Sequence, residues 1–444
     1  PLACDDIYRA GAWNVRTRWS GSGPYEGAVS QIRTLDVSKA ATRVTLDVSS
    51  RAIKVDEPVS ISGKFTPQPD CGGDLENIPL TIAVSGPAGS DTQTVTTNDP
   101  WGHFLLSGYT GFNKIGDWSV QVEFSGNNAY LDSRSAVMPI KVVETAGYAI
   151  IVQGKISSNE GLASHNKTAN FVYQTLLDRG LLEDDIQYFN YDTSQPGVDG
   201  VPTKDAIRTA VAQWAVTKMN PKPANLYIVM VDHGLDEFFF IHPDTITSVE
   251  LGDWIDQLQD GLNDDADDQE IITILGFCRS GSFVDNLSGN YRVVITSADA
   301  GESSYKGPLD TDGVREGEYF VSEYFKSVSF GKTVTQSFAE AVLLTETYTS
   351  ANAEGSANAP YFDNARQHPL LDDNGDGVGT NEITGQSADD GALGETLVIG
   401  VSSVTGNDPG DVHVTAVTEA VFVPAAENTV GLLWAKASDD ARLR

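Results

Sequence analysis

The sequence predicts a multidomain chain: β-sandwich structure over the first 145 residues, then an α/β domain with a mostly parallel sheet flanked by helices. Three observations predict it. Short runs alternating apolar and polar residues fill the N-terminal third, and Gly, Pro, Asn and Asp separate them. From Gly147 that alternation gives way to continuous apolar runs, interleaved with segments of helical period. Hydrophobic residues make up 40% of the 444, enough for more than one core.

The N-terminal strands are "RVTLDV", "PVSISGKF", "LTIAVSG" and "WSVQVEF". An internal repeat accompanies them. "GAWNVRTRWSGSGPYEGAVS" begins at Gly11 and "GDWSVQVEFSGNNAYLDSRS" at Gly116, aligning Trp13 with Trp118, Trp19 with Phe124, Gly21 with Gly126 and Tyr25 with Tyr130. The offset of 105 residues is about the length of an immunoglobulin-like module. Residues 1–38 are therefore expected to be the last strands of one such module, and 39–145 a complete second one. A chain that opens mid-module, on "PLACDD" with no Met, is expected to be a processed product or a fragment.

In the α/β part, expected over 146–392, the elements follow in order. "GYAIIVQG" is a strand, "NKTANFVYQTLLDRG" a helix with a Gly stop, "IQYFNY" a strand and "TKDAIRTAVAQWAVTK" a helix. "NLYIVMVD" is the next strand, "VELGDWIDQLQDGL" a helix, "IITILGFC" a strand, then a short helix and the strand "YRVVITSA". The stretch from Gly313 to about Ser350 reads as helical. From Leu393, "TLVIGVSSV", "VHVTAV" and "TVGLLWAKAS" return to strand patterning, which predicts the β-rich start of a further module over 393–444.

Charge and cysteine content narrow the function. Sixty-two acids against 29 bases give a net charge of −33, which argues against nucleic acid and anionic membranes as partners. No apolar run approaches the roughly 18 residues that span a bilayer. Three cysteines are too few for a disulfide framework.

Two apolar strands end in reactive residues: "LYIVMVDHG" in His233 and Gly234, and "IITILGFCRSGSF" in Cys278. An open parallel sheet presents its chemistry at the carboxyl ends of its strands. A thiolate nucleophile needs a nearby base, so Cys278 and His233 are the candidate pair. The helix expected after Cys278 would stabilise the thiolate. The backbone N–H groups of Gly234 and Cys278 are candidates for an oxyanion hole. His165 and His242 are competing bases, but neither ends a core strand as cleanly.

These motifs carry a resemblance. "VDHG", "GFCRSGS" and "ITSADAGESSY", with "HNKTANFVYQTLLDRGLLEDDIQYF" upstream, resemble the bacterial branch of the legumain-type cysteine peptidases, within the caspase-like clan. The likeness spans roughly residues 147–350. It implies a caspase-like domain, a Cys278–His233 dyad, peptide-bond hydrolysis and no cofactor for catalysis. By the same resemblance the substrate-binding surface would include Ser164, His165, Arg279, Ser303, Ser304 and Glu318. The departures concern specificity. Ser164 stands where legumains carry an Arg, Arg279 stands where they carry an acid, and Glu318 retains their acid, so asparagine specificity does not transfer.

The loop "DDNGDGVGTNE" places Asp372, Asn374 and Asp376 at alternating positions before Gly377, as in an EF-hand-type calcium loop. Asp372, Asn374, Asp376, the Val378 carbonyl and Glu382 are its expected ligands for a structural Ca2+, although Ile383 occupies the twelfth position. The expected function is a secreted or surface-exposed cysteine endopeptidase acting on proteins or peptides. Cleaved fragments of its own precursor are expected partners. The alternatives are a transpeptidase or ligase using the same dyad, or a surface adhesion protein with an inactive peptidase domain.

Overall fold

The computed structural model describes residues 10–68, 74–351, 367–383, 390–401, 417–423 and 432–437, in two compact units. The first comprises residues 1–50 and 55–142, and the second 51–54 and 143–444.

In the first unit, strands Pro79–Gly86, Gly89–Thr96, Gly116–Phe124 and Met138–Val143 belong to one antiparallel sheet, while Ala41–Val44, Val59–Gln68 and His103–Tyr109 belong to another. Their period-two pattern puts one face of each strand inward. Ile61 and Phe65 from one sheet and Ile82, Val84, Val120, Val122 and Phe124 from the other are buried. The rings of Phe65 and Phe124 meet edge to face at 4.7 Å.

The 105-residue repeat is a repeat of backbone pairing. Strand Gly11–Val15 pairs with Arg33–Val37 in the register Gly11↔Val37 and Trp13↔Leu35. Gly116–Phe124 pairs with Met138–Val143 in the register Gly116↔Val142 and Trp118↔Ile140, the same partners 105 positions on. Arg18↔Val29 likewise recurs as Glu123↔Arg134. Gly21 and Gly126 share a positive φ, +87° and +80°, beside the carbonyls of Tyr25 and Tyr130. The copies differ in cover: Trp19 is 49% exposed, whereas its counterpart Phe124 is 3% exposed.

The second unit is built on a six-stranded sheet. Its order is Ile186–Phe189, Tyr148–Gln153, Leu226–Val231, Ile271–Gly276, Arg292–Thr296 and Leu370–Asp372. All neighbours are parallel except the last pair. The three strands from Tyr148, Leu226 and Ile271 are buried along their whole length. That is why they read as unbroken apolar runs, since both faces are covered. Helices Ala163–Asp178, Tyr319–Ser329 and Val334–Ala351 contribute to the core on one face, and Ser248–Gly261 to the core on the other.

Local signals set the helix limits. Thr247 and Glu250 form a reciprocal capping box at the start of Ser248–Gly261. Gly180, with φ +88°, follows the end of Ala163–Asp178. The helix expected over 203–218 forms as Lys204–Thr209 and Ala215–Met219 around a π turn, Ala210–Trp214. A hairpin sheet of Gly234–Leu235, Phe238–Ile241 and Asp244–Thr247 follows His233, where no strand was expected.

The boundary expected at 393 is corrected. Leu397, Val398, Ile399 and Val401 are buried in the core of the α/β unit. Thr333 and Val398 form a bridge, and the Arg179 guanidinium donates to the Ile399 carbonyl. The run "TLVIGV" is apolar because it closes this core, and no strand of a new module forms there. Strands Val417–Val423 and Leu432–Ala437 pair antiparallel further on.

Candidate active site

The strands Leu226–Val231 and Ile271–Gly276 are paired to their ends, with Val231 opposite Gly276. His233 and Cys278 each lie two residues further along, so the sheet register delivers both to the same edge. Gly234 lies against the Cys278 backbone: a Cβ there would come within 2.9 Å of the Cys278 carbonyl oxygen and 2.2 Å of Phe277 Cδ2. This residue pair can be approached only where a side chain is missing.

Cys278 and His233 are both half-buried. The Cys278 Sγ lies 3.8 Å from the Ser304 carbonyl oxygen and 3.9 Å from the Ser304 hydroxyl. Ser304, expected at the substrate surface, thus stands beside the sulfur. The loop that carries it is tied down locally. The Arg279 N–H donates to the Glu302 carbonyl, and the Glu302 carboxylate accepts from the His368 backbone and meets its ring at 2.6 Å. Arg279 takes a left-handed conformation, φ 59°, with its side chain exposed. The helix expected directly after Cys278 is a 3-10 turn, Ser280–Phe283, followed by one α turn, Val284–Leu287.

Behind His233 lies a charged cluster that sequence reasoning reached only in part. His233 Nε2 is 3.1 Å from Glu160 Oε1. His165 Nδ1 is 2.9 Å from Asp232 Oδ2 and 3.5 Å from Glu160 Oε1. The Gln153 amide, at the end of its own strand, donates to Asp232 Oδ2 at 3.0 Å. The other oxygen of Glu160 accepts the Ile156 backbone N–H, which fixes the loop before the helix. Burial alone would lower the His165 pKa, but the carboxylates of Asp232 and Glu160 outweigh it and raise it to about 9. Burial would raise the Glu160 pKa, but the two imidazoles and the Ile156 N–H hold it well below the usual range. Glu160, Asp232 and Gln153 had a faint signal in the sequence: an acid shortly before His165, an acid just before His233, and a polar residue closing an apolar strand.

Two expected substrate contacts are corrected. His165 is 2% exposed, because its ring is enclosed by the acids and by Gly317. Glu318 is 1% exposed and is spent on its own helix, accepting from the Val321 N–H at the start of Tyr319–Ser329 and from the Gln367 amide. Burial raises its pKa to about 7 against those two hydrogen bonds. Ser164 and Ser303 are half-buried.

The loop after strand Leu370–Asp372 folds on its own oxygens. Asp372 accepts from Gly375 and Gly377, Asn374 from Asp376, and Asp376 from Val378. The first half of the expected calcium loop therefore has its acids oriented by backbone N–H groups. Val378 and Glu382 are exposed.

The model of the Peptidase C13 family matches residues 208–368, which include His233 and Cys278. No curated protein matches the chain. Among solved structures, a crystal structure of caspase-1 from Spodoptera frugiperda is similar at 11% identity with a TM-score of 0.38, covering 52% of this chain and 87% of that one.

Proposed function

We propose that the α/β unit, which the Peptidase C13 family model matches over residues 208–368, is a cysteine peptidase of that legumain family, in which Cys278 and His233 form the dyad and cleave peptide bonds within polypeptides through a thioester. The observation that carries this reading is the co-termination of two central parallel strands on these residues, with Val231 opposite Gly276. His233 Nε2 is taken up by Glu160, which leaves Nδ1 to exchange a proton with the thiol. The thiolate adds to the scissile carbonyl carbon, and the backbone N–H groups of Gly234 and Cys278 stabilise the oxyanion. The imidazolium protonates the departing amine. His233 then takes a proton from water as it attacks the thioester, releasing the acid and the free thiol. Peptidases of this family need no cofactor for these steps.

Glu160 orients the imidazole and offsets the charge that His233 acquires. Ser304, Ser303, Ser164 and Arg279 are the groups available to a substrate side chain, and they make a polar surface with one positive charge. The repeat of pairing in the first unit supports reading it as immunoglobulin-like, and such modules with a charge of −33 suit a secreted or surface-exposed enzyme. A Ca2+ ion at Asp372, Asn374 and Asp376 would serve that part of the fold and take no part in the chemistry.

The test is cleavage of a peptide library by the native chain and by Cys278→Ala. Turnover should vanish in the variant while its melting temperature stays within about 2 °C of the parent. Alkylation of Cys278 by iodoacetamide should track the loss of activity in time. Turnover retained by Cys278→Ala would overturn the assignment.

A further inference from the structure

The four groups behind the dyad converge too closely for a simple set of ion pairs. One ligand atom from each of Glu160, His165, Asp232 and His233 lies within 4.8 Å of the others. His165 Nδ1 lies 2.9 Å from Asp232 Oδ2 and 3.5 Å from Glu160 Oε1, and His233 Nε2 lies 3.1 Å from Glu160 Oε1 and 3.9 Å from the other Asp232 oxygen, Oδ1. A tetrahedral Zn2+ with bonds of about 2.0–2.2 Å spaces its ligands at about 3.4 Å, the middle of that range. Asp232 is fully buried, yet its Oδ1 has no hydrogen-bond partner. Glu160 Oε1 and His165 Nδ1 likewise lie at contact distance from their neighbours with no aligned hydrogen bond. Buried polar atoms that crowd together without aligned hydrogen bonds are an arrangement a cation would satisfy.

We propose that Glu160, His165, Asp232 and His233 bind a zinc-type divalent ion, and that this ion reversibly switches the peptidase off. Two imidazoles and two carboxylate oxygens suit Zn2+ or Co2+. Ca2+ and Mg2+ prefer six or more oxygen ligands. His233 is 37% exposed, so the ion has a way in from solvent. Once bound, it occupies Nε2 of His233 and takes up the Glu160 oxygen that orients the ring. The inhibitory half of the proposal rests on His233 being the base, and the binding half does not.

The experiment therefore separates the two. The full chain carrying Cys278→Ala, which has no thiol at the site, is titrated with Co2+ and followed by visible absorption. One equivalent should give the intense visible bands of tetrahedral Co2+, and Zn2+ should displace them. His165→Gln and His233→Gln, each checked by circular dichroism, should weaken binding at least about 100-fold. If His165→Gln fails to fold, His233→Gln decides alone, because its side chain is partly exposed. No Co2+ binding, bands that survive both substitutions, or binding present in the native chain and lost in Cys278→Ala would each overturn the site. In the native chain Zn2+ should abolish peptide cleavage and a chelator should restore it. Stoichiometric binding with undiminished cleavage would overturn the switch and leave the peptidase reading standing.

Discussion

Gly317 packs directly on His165: a Cβ at this glycine would lie 2.4 Å from the imidazole Cδ2 and 2.6 Å from the histidine Cα. The Gly317 N–H also donates to the Thr168 hydroxyl one turn along the same helix. The glycine is thus the wall that presses His165 onto Asp232 and Glu160. Gly317→Ala should push the helix start or the imidazole aside, destabilise the domain by about 1–3 kcal/mol, and lower kcat/KM about tenfold or more. Thermal melting and peptide hydrolysis check this together. An alanine variant with native melting and native kcat/KM would show that the wall yields freely.

Gly234 offers a sharper probe of the oxyanion site. A methyl group there meets Phe277 Cδ2 at 2.2 Å and the Cys278 carbonyl oxygen at 2.9 Å, so the two strand ends must separate. Gly234→Ala should cost about 100-fold in kcat, the usual loss for one misplaced oxyanion donor, with a smaller change in KM. Steady-state kinetics on one peptide decide it, and a loss confined to KM would remove Gly234 from the chemistry.

Glu318 makes stability depend on pH. Its pKa rises from an ordinary 4.5 to about 7 in the fold because it is buried. Below pH 4.5 the folded and unfolded chains both hold the proton, and the residue costs nothing. Between 4.5 and about 7 only the unfolded chain releases it, so stability falls as pH rises, and above 7 the loss is constant. The full effect is on the order of 3 kcal/mol. Glu318→Gln keeps the bulk and an acceptor for the Val321 N–H. It should raise stability at pH 8 relative to pH 5, measured by urea unfolding at both values. Equal pH slopes in the variant and the native chain would show that Glu318 does not titrate in this window.

Calcium should act on the loop at Asp372. Asp376 is exposed and its carboxylate accepts only the Val378 N–H among the described bonds to backbone. Added Ca2+ should raise the melting temperature by a few degrees, a chelator should reverse it, and Asp376→Ala should flatten the response. A native chain indifferent to both additions would leave the loop as a turn held by its own hydrogen bonds.

What the sequence made legible follows from period and chain order. The buried strands before His233 and Cys278 are unbroken apolar runs, so their ends, and the residues beyond, could be placed on one sheet edge. The repeat at Trp13 and Trp118 was readable because the pairing partners, Leu35 and Ile140, keep the same spacing. Burial of polar side chains was not readable. His165 and Glu318 carry the chemistry of a binding surface, but their neighbours are Asp232, Gly317 and Gln367, which lie tens of residues away in the chain. "TLVIGV" misled for a related reason: an apolar run of strand composition can close a core without joining a sheet, as Leu397 to Val401 do.

The register that sets Val231 opposite Gly276 also ties catalysis to cooperativity. Backbone amides in central, fully buried strands exchange with solvent only when the whole domain opens. The spacing of Cys278 and His233, two residues beyond these strands, is set by those same hydrogen bonds. The peptidase should therefore keep its dyad geometry through all partial openings of the molecule. On heating, activity should disappear in the same transition that frees the slowest-exchanging amides.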